Sequence, residues 1–236
     1  MAIEKLLEID DLTVSYKELK ISGMSPFAKK RNIVALKNIN FDVIKGENIA
    51  ILGRNGAGKS TLLKCIAGFL RPSEGIVITR GRIMLLAGTN PGFQPDTSGR
   101  ENLRLLAPLY GIEIEKIDDF IRGVEEFTQL GESLNRNYRG YSTGMKGKLG
   151  FGFITGLTPD VLLIDETLGV GDLEFRAKAQ IRLKKFIERS GSVIMSTHSL
   201  GLASEMCTKG ILLDGGKILF QGDIKECINV YRKNMI

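Results

Sequence analysis

Alternating apolar and polar positions predict strands at the start of the chain. Residues 6–15 and 34–44 alternate like half-buried strands, and the first of them resembles an edge strand. Residues 17–32 between them are polar and include Gly23 and Pro26, which predicts an insertion loop. We therefore expect two strands joined by an inserted loop.

A strand, a glycine-rich loop and a helix are expected next. Residues 47–52 form a short apolar run that leads into Gly53, and residues 59–67 have helical spacing. A turn at residues 72–75 then precedes two short strands within residues 76–86.

Helical spacing replaces the strand patterns between Gly99 and Thr158. We expect one face of a single continuous helix there to carry Ile114, Ile117, Ile121, Val124 and Phe127. Further along, apolar runs at residues 161–164 and 192–196 predict buried strands on either side of a helix at residues 175–187.

Two elements complete the pattern. Residues 211–214 and 217–221 lie on either side of Gly215-Gly216 and are predicted to form a hairpin. A final helix is expected to start at Ile224. The pattern along the whole chain therefore predicts an α/β core with parallel strands and an inserted all-helical segment.

Composition narrows the class of protein. With 236 residues, 43% of them hydrophobic and 25% charged, the chain suits one large α/β domain or two packed subdomains. The net charge of +6 would suit nucleic acid, acidic lipid or a phosphorylated small molecule. The clearest basic cluster, at residues 29–31 near Lys17 and Lys20, is either a solvated face or an insertion that touches a partner or anionic headgroups.

Neither a membrane helix nor an export signal is expected. No stretch approaches the roughly 20 apolar residues that a membrane helix needs, and residues 1–5 lack the layout of a secretion signal. Cys65, Cys207 and Cys227 are odd in number and widely separated, which indicates buried reduced thiols. We therefore expect a cytosolic protein.

Residues 53–60 carry the strongest motif. They fit G-x-x-x-x-G-K-[ST] completely and lie between a predicted strand and a predicted helix. The glycines let the backbone wrap a polyphosphate and point N–H groups at it, next to the amino end of a helix. Lys59 would reach the β- and γ-phosphates, and Ser60 offers an oxygen to Mg²⁺. The alternative is a glycine-rich turn without a ligand.

Acidic residues and the single histidine follow predicted strands, where ligands bind in open α/β sheets. Asp165 suits the Mg²⁺ shell, and Glu166 could polarise an attacking water. His198 follows the strand at residues 192–196 and could sense the γ-phosphate. The alternatives are solvated loop acids and a structural histidine.

A serine hydrolase is the rival hypothesis. Residues 140–144 match G-x-S-x-G, and Ser142, Asp165 or Asp172, and His198 follow the chain order of that class. The motif requires a buried strand before the serine, whereas residues 135–139 read Asn-Arg-Asn-Tyr-Arg. It also leaves the phosphate loop unexplained, so we favour nucleotide chemistry.

Taken together in this order, the motifs make the sequence similar to the ATP-binding subunits of ABC transporters over nearly its whole length. The matching segments are the Walker A loop at residues 53–60, Walker B with Asp165 and Glu166, the signature at residues 141–146, the D-loop residue Asp172 and the switch residue His198.

This resemblance assigns roles to individual residues. The catalytic group is Glu166, His198 and Lys59, and the metal ligands are Ser60, Asp165 and Gln94. The nucleotide-binding group is Tyr16, which would end the first strand and stack on adenine, with Gly53, Asn55, Gly56, Ala57, Gly58, Lys59, Ser60, Thr61, Ser142, Gly144, Met145 and Asp172. Thr143 and Met145 depart from the commonest signature, and Gln94 lies several residues later than the family's Q-loop glutamine.

The resemblance also implies an assembly. Two ATP molecules with Mg²⁺ would lie in a homodimer, each between the Walker A loop of one copy and the signature of the other. Closure on ATP and reopening after hydrolysis would move a separate transmembrane permease. The chain would lie peripherally on the cytoplasmic side of the cell membrane, contacting it through the permease, and no nucleic-acid partner is expected.

The implied fold is a P-loop NTPase core, that is, a RecA-like mixed sheet with an antiparallel β subdomain, plus an inserted all-helical subdomain. Residues 1–94 and 159–236 would form the core, and residues 95–158 the helical part that carries the signature.

Within the ABC group, the sequence is most similar to exporters of lipid-linked capsule, O-antigen or teichoic acid. This similarity rests on residues 141–145, 149–151, 169–172 and 99–102, and on the basic insertion at residues 17–31, which lies near the membrane subunit in that group. Transport of another lipid, drug or solute stays open, as does a soluble P-loop kinase or nucleic-acid ATPase. Because the basic residues lack interleaved aromatics for base stacking, the nucleic-acid alternative is disfavoured.

Overall fold

The computed structural model of the protein describes residues 4–20, 29–86, 90–165, 172–188 and 191–235, without the side chains at 18–20, 29–31 and 235. The strands are β1 (Lys5–Lys20), β2 (Lys29–Ile44), β3 (Asn48–Leu52), β4 (Glu74–Thr79), β5 (Ile83–Leu86), β6 (Val161–Asp165), β7 (Ser192–Ser196), β8 (Lys209–Asp214) and β9 (Lys217–Asp223). The helices are α1 (Lys59–Ile66), α2 (Gly99–Leu109), α3 (Ile117–Thr128), α4 (Thr143–Gly156), α5 (Leu173–Glu188), α6 (Leu200–Met206) and α7 (Ile224–Met235).

These strands form two sheets. The larger has the order β5-β6-β7-β3-β8-β9, in which β9 pairs antiparallel to β8 and the other neighbours are parallel. The smaller is antiparallel, with the order β2-β1-β4. Strand β3 is buried at every position, as expected of an apolar strand covered on both faces. The predicted mixed α/β core with an antiparallel sheet is confirmed.

Two predictions about the first strand are wrong. Strand β1 is the central strand of the smaller sheet and not an edge strand, because β2 and β4 pair with its two sides. The predicted loop at residues 17–32 is in part strand, since Lys17 pairs with Asn32 and Lys20 with Lys29. Backbone pairing between neighbouring strands extends through polar residues, which a hydrophobic pattern does not detect. Residues 21–28 lie outside the described part.

The described chain between β5 and β6 contains helices and turns and no strand, as predicted. The predicted continuous helix, however, breaks before α3: residues Ile114–Lys116 form a 3-10 turn, and Ile114 is 78% exposed. Ile117, Ile121 and Val124 do lie on the buried face of α3. Local turn geometry therefore removes Ile114 from the face that the helical spacing assigned to it.

The core has two parts on opposite faces of the larger sheet. One packs α1 between that sheet and the smaller one and includes Leu62 and Leu63. The other joins the sheet to the helices and includes Phe151 and Phe153 of α4, which are almost fully buried among other aromatic rings. Helix α4 is therefore the central helix of the second core.

The three cysteines are free and buried, as predicted. Burial raises the pKa of the Cys65 and Cys227 thiols to about 11 and that of Cys207 to about 12, because the charged thiolate is poorly solvated inside the protein. In the described chain, no helix combines the length and apolar character needed to cross a bilayer.

Two glycines allow a test of the packing of α4 against α3. A Cβ atom at Gly152 would lie 2.6 Å from Cγ2 of buried Thr128 and 3.3 Å from Cγ1 of Val124, whereas a Cβ at Gly123 on α3 would meet no atom within 4 Å. We expect Gly152→Ala to lower the free energy of unfolding by about 1–2 kcal/mol through overpacking. Gly123→Ala, the matched control, should raise it by up to about 1 kcal/mol through helix propensity. Urea unfolding measures both, and equal effects of the two substitutions would contradict the described contact.

Candidate functional site

Some of the functional residues predicted from the sequence lie where three parallel strands end. Strands β3, β6 and β7 are neighbours in the order β6-β7-β3. The chain leaves β3 into Gly53, β6 ends at Asp165, and β7 is followed by Thr197 and His198. Since the carboxyl ends of parallel strands share one edge of the sheet, residues far apart in sequence are brought together there.

Gly53 and Gly58 have the left-handed backbone and close contacts that only glycine fits easily. Gly53 has a φ of 153°, and a Cβ atom there would lie 2.3 Å from the carbonyl oxygen of Leu213. Gly58 has a φ of 106°, and its Cβ would lie 2.6 Å from Cδ2 of Leu36. The loop therefore packs between the larger sheet and the smaller one. Its shape depends on these glycines, because a side chain at either position would be strained and would collide with a neighbour.

The amino end of α1 suits an anion. Gly58 is the capping residue, and within the described chain this end has neither a capping side-chain hydrogen bond nor an acidic residue in the first turn. The first N–H groups of a helix need partners outside it, and the helix dipole favours negative charge at that end. A phosphate group fits these requirements.

Lys59 lies inside the loop. It is only 6% exposed, and its Nζ donates hydrogen bonds to the carbonyl oxygens of Gly53 at 2.8 Å and Arg54 at 3.1 Å. A buried ammonium group is expensive unless it is well bonded, so these carbonyls help to hold the charge in the concave side of the loop. The structure therefore places a full positive charge beside the helix end.

Asp165 accepts two hydroxyl hydrogen bonds on one carboxylate oxygen. Ser60 Oγ donates to Asp165 Oδ1 at 3.0 Å, and Ser196 Oγ donates to the same atom at 2.8 Å. The three side chains present only oxygen atoms, the donor type that Mg²⁺ prefers. Within the described residues, no group of three or more His, Cys, Asp or Glu side chains could hold a metal ion.

Ser196 is a site residue that the sequence analysis missed. The apolar run at residues 192–196 predicts a strand that ends at this residue and assigns it no further role. Its alignment with Asp165 follows from the parallel pairing of β6 with β7, in which Asp165 lies opposite Ser196. A polar residue that ends an apolar strand beside an acidic one is the signal that could have identified it.

Three other predicted residues differ in outcome: one is placed differently, one follows its strand as expected, and one lies outside the described residues. Tyr16 does not end its strand: it lies inside β1, opposite Ile33, and is 42% exposed. His198 is exposed directly after β7. Glu166 lies outside the described residues, as do residues 167–171.

Gln94 is held by its backbone and not by its side chain. Its N–H donates to Asn102 Oδ1 at 2.6 Å, and Asn102 Nδ2 donates to the carbonyl oxygen of Gln94 at 2.9 Å. Asn102 is buried in α2, so it fixes the loop that precedes this helix. Gln94 is exposed, and within the described part of the chain its side-chain amide makes one long hydrogen bond, of 3.5 Å, to the carbonyl oxygen of Gly92.

The segment predicted as a signature begins α4. Ser142 caps the helix, because its Oγ accepts a hydrogen bond from the backbone N–H of Met145 at 3.2 Å. Gly144 lies in the same first turn. Among the described residues, no hydrogen bond joins Ser142, Gly144 or Met145 to the loop at residues 53–60.

A lysine that the sequence analysis did not single out connects α4 to Asp172. Lys148 Nζ lies 2.7 Å from Asp172 Oδ2 and 5.3 Å from the centre of the Phe175 ring. The hydrogen bond from Lys148 holds the pKa of the Asp172 carboxyl below its usual value. Asp172 also accepts the backbone N–H of Phe175 at 2.9 Å and so caps the start of α5.

Known proteins with similar folds were found across the whole chain. A solved structure described as the ATP-binding subunit of an ABC transporter matches with a TM-score of 0.77 at 25% identity, covering 97% of this chain and 92% of that one. A dimeric ATP-binding cassette bound to ADP and Pi matches at 22% identity with a TM-score of 0.75, covering 92% of this chain and 98% of that one. The predicted P-loop NTPase fold is confirmed.

Curated relatives are similar in sequence. The O-antigen export system ATP-binding protein RfbB of Klebsiella pneumoniae is 36% identical over 207 residues, which cover 88% of this chain and 84% of that protein. The teichoic acids export ATP-binding protein TagH of Bacillus cereus is 38% identical over 198 residues, or 84% of this chain and 36% of that protein.

The family profile described as ABC transporter matches residues 36–169, which include the phosphate loop, Asp165 and the start of α4. Together with the relatives and the fold, this match confirms the family to which the motifs pointed. The chain belongs to the ABC transporter family.

Proposed function

We propose that the chain is the ATP-hydrolysing subunit of a transporter that exports a lipid-linked surface polysaccharide or teichoic acid. The observation that carries the ATPase part is the meeting of Ser60 and Asp165 at the uncapped amino end of α1, beside the buried Lys59. Relatives named for O-antigen and teichoic acid export support the substrate class.

Residues of the loop would bind the phosphates of ATP. The N–H groups from Gly56 to Thr61 would donate to the β- and γ-phosphates, and Lys59 would exchange part of its bonding to Gly53 and Arg54 for phosphate oxygens. Asn55, which is exposed, and Ala57 complete the loop. Tyr16, which is partly exposed, would stack its ring on the adenine.

Ser60 and Asp165 would hold Mg²⁺, with Gln94 as a further ligand that would have to turn its exposed amide towards them. The ion would supply neutralising charge for the phosphates. Ser196 would keep the Asp165 carboxylate oriented through the hydroxyl hydrogen bond that it donates.

Hydrolysis would use a positioned water. In the proposed step, the water oxygen forms a bond to the γ-phosphorus, the bond from that phosphorus to the bridging β–γ oxygen breaks, and Glu166 accepts the proton that the water loses. His198, which is exposed after β7, would donate a hydrogen bond to the γ-phosphate. ADP and inorganic phosphate leave.

The start of α4 would close the site of a second copy. Ser142, which is exposed, and the N–H groups near the half-buried Gly144 would form an anion-binding helix end. Within the described residues, this end makes no hydrogen bond with the phosphate loop of its own chain. A head-to-tail homodimer would bring it to the γ-phosphate of the partner. Asp172, paired with Lys148, would link this helix to the dimer interface.

Transport would require a separate transmembrane permease, so the chain would lie peripherally on the cytoplasmic side of the membrane. The helical residues 95–158 are proposed as a subdomain that moves against the core formed by residues 1–94 and 159–236.

Purification from membranes tests the export role: the chain should copurify with a protein that has several apolar membrane-spanning helices, whereas recovery only with nucleic acid or a soluble complex would contradict it.

Lys59→Ala should weaken ATP binding. Loss of a charge-assisted hydrogen bond to phosphate is expected to raise the dissociation constant by about 10- to 100-fold. Lys64→Ala, in the exposed last turn of the same helix, is the matched control and should leave the constant unchanged. Equilibrium titration with ATP and Mg²⁺ measures both, and equal affinities of the two variants would remove the proposed role of Lys59.

Glu166→Gln should leave ATP binding intact and slow hydrolysis. The amide cannot accept the proton of the attacking water, so single-turnover hydrolysis should fall by roughly 10²- to 10⁴-fold. Phosphate release with saturating ATP provides the measurement. Wild-type turnover in this variant would show that another group is the base.

Dimerisation should depend on ATP. The Glu166→Gln variant with ATP and Mg²⁺ should run as a dimer in analytical ultracentrifugation, because the bound γ-phosphate joins the loop of one copy to α4 of the other. Nucleotide-free protein should be mainly monomeric. A monomer under both conditions at high concentration would count against the shared site.

A further inference from the structure

A lysine of α4 contacts the residue that leads into α5. Lys148 Nζ donates a hydrogen bond to Asp172 Oδ2 at 2.7 Å, and the two groups form an ion pair. The Lys148 side chain is 22% exposed, whereas that of Asp172 is 61% exposed. The lysine therefore joins α4, which precedes β6 in the chain, to the residue before α5, which follows β6.

An aromatic ring directs the lysine towards this carboxylate. Its Nζ lies 5.3 Å from the centre of the Phe175 ring, and the face of an aromatic ring attracts a cation. Phe175 is 3% exposed, and its ring centre lies 5.9 Å from that of Phe151 on α4 and 5.3 Å from that of Phe127 on α3. Close packing holds this ring in place. The lysine therefore loses less side-chain freedom on pairing than a lysine in open solvent does.

Two bonds fix the direction of the Asp172 carboxylate. Its Oδ2 accepts the bond from Lys148, and its Oδ1 accepts the backbone N–H of Phe175 at 2.9 Å and so caps α5. The hydrogen bond from Lys148 lowers the pKa of this carboxyl, which is therefore ionised at neutral pH. One carboxylate thus connects α5 to α4.

Both helices carry parts of the proposed shared site. Ser142 caps α4, and Lys148 follows it by six residues, or about 9 Å along the helix axis. Helices bend only slightly over such a length. A bond between Lys148 and Asp172 therefore also sets the distance from Ser142 to Asp172, the two residues that would face the partner copy.

We propose that Lys148 is a positioning residue for the shared ATP site. Through its ion pair it holds Ser142 and Asp172 at one spacing, so that a partner copy meets both at once. The inference rests on the proposed function, because it requires the ATP-dependent dimer. Without the lysine, Asp172 keeps its bond to Phe175 but loses the one that ties it to α4. Since the pair lies outside the phosphate loop, its loss should weaken dimerisation and leave ATP binding by a single copy unchanged.

The test uses the full chain with Glu166→Gln, ATP and Mg²⁺, and analytical ultracentrifugation measures the dimer dissociation constant. Lys148→Gln should raise this constant about 10-fold, because a partly exposed ion pair contributes a factor of about 3 and a two-fold dimer contains the pair twice. Lys148→Arg should restore most of the dimer, since a guanidinium also pairs with carboxylates and stacks on aromatic rings. The affinity for ATP, measured where the chain is monomeric, should stay the same in all three chains.

Lys178→Gln is the matched control. Lys178 lies on α5, pairs with Glu174 at 2.7 Å and donates to Gln129 directly after α3. The control therefore removes an ion pair of the same length, a link from α5 to the helical part and the same charge, yet it should leave the dimer constant unchanged. Lys148→Met, which keeps a side chain of similar length, should act like Lys148→Gln and replaces it if that variant does not fold.

Thermal unfolding midpoints separate a structural role from a positioning one. The proposal is overturned if the loss of the Lys148 charge lowers the midpoint but leaves the dimer constant unchanged, or if Lys178→Gln weakens the dimer equally. It is also overturned if Lys148→Arg restores nothing or if the single copy binds ATP less tightly. In each of these cases the parent with Glu166→Gln still dimerises. A parent that stays monomeric with ATP would instead show that the proposed shared site fails, and the positioning role with it.

Discussion

Two hydroxyl groups that donate to a single carboxylate oxygen hold the candidate site together. Ser60 lies in the first turn of α1, Asp165 ends β6 and Ser196 ends β7, so their hydrogen bonds join a helix and two strands from distant parts of the chain. The parallel order β6-β7-β3 makes this arrangement possible, because it brings the carboxyl ends of these strands to one edge. A shift in the pairing of β6 with β7 would separate Asp165 from Ser196.

The phosphate loop depends on the same sheet. Gly53 passes so close to Leu213 of β8, and Gly58 to Leu36 of β2, that side chains at these positions would collide with their neighbours. The positions of the loop, the larger sheet and the smaller sheet therefore depend on one another. The helices between β5 and β6 are connected less directly to the site. Lys148 of α4 pairs with Asp172, and Asn102 of α2 holds the backbone of Gln94.

The sequence predicted what local patterns and motifs encode: the buried strands β3, β6 and β7, the hairpin of β8 and β9, and the loop with its helix. It did not predict pairing partners, and so it misplaced β1 as an edge strand and missed Ser196, whose role arises from register with Asp165. Ile114 follows the helical spacing, yet a 3-10 turn exposes it. The contacts of Lys148 and Asn102 could not be predicted, because tertiary packing between elements creates them. The roles of Glu166 and Gln94 stay predictions.

Backbone amide hydrogen exchange on addition of ATP and Mg²⁺ tests the central claim most directly, because the proposed ligands are mainly main-chain N–H groups. The account predicts that exchange slows at residues 53–61 and that residues 178–186 of α5, which contribute no group to the proposed nucleotide site, are unaffected. Unchanged exchange at residues 53–61 under saturating ATP would contradict it.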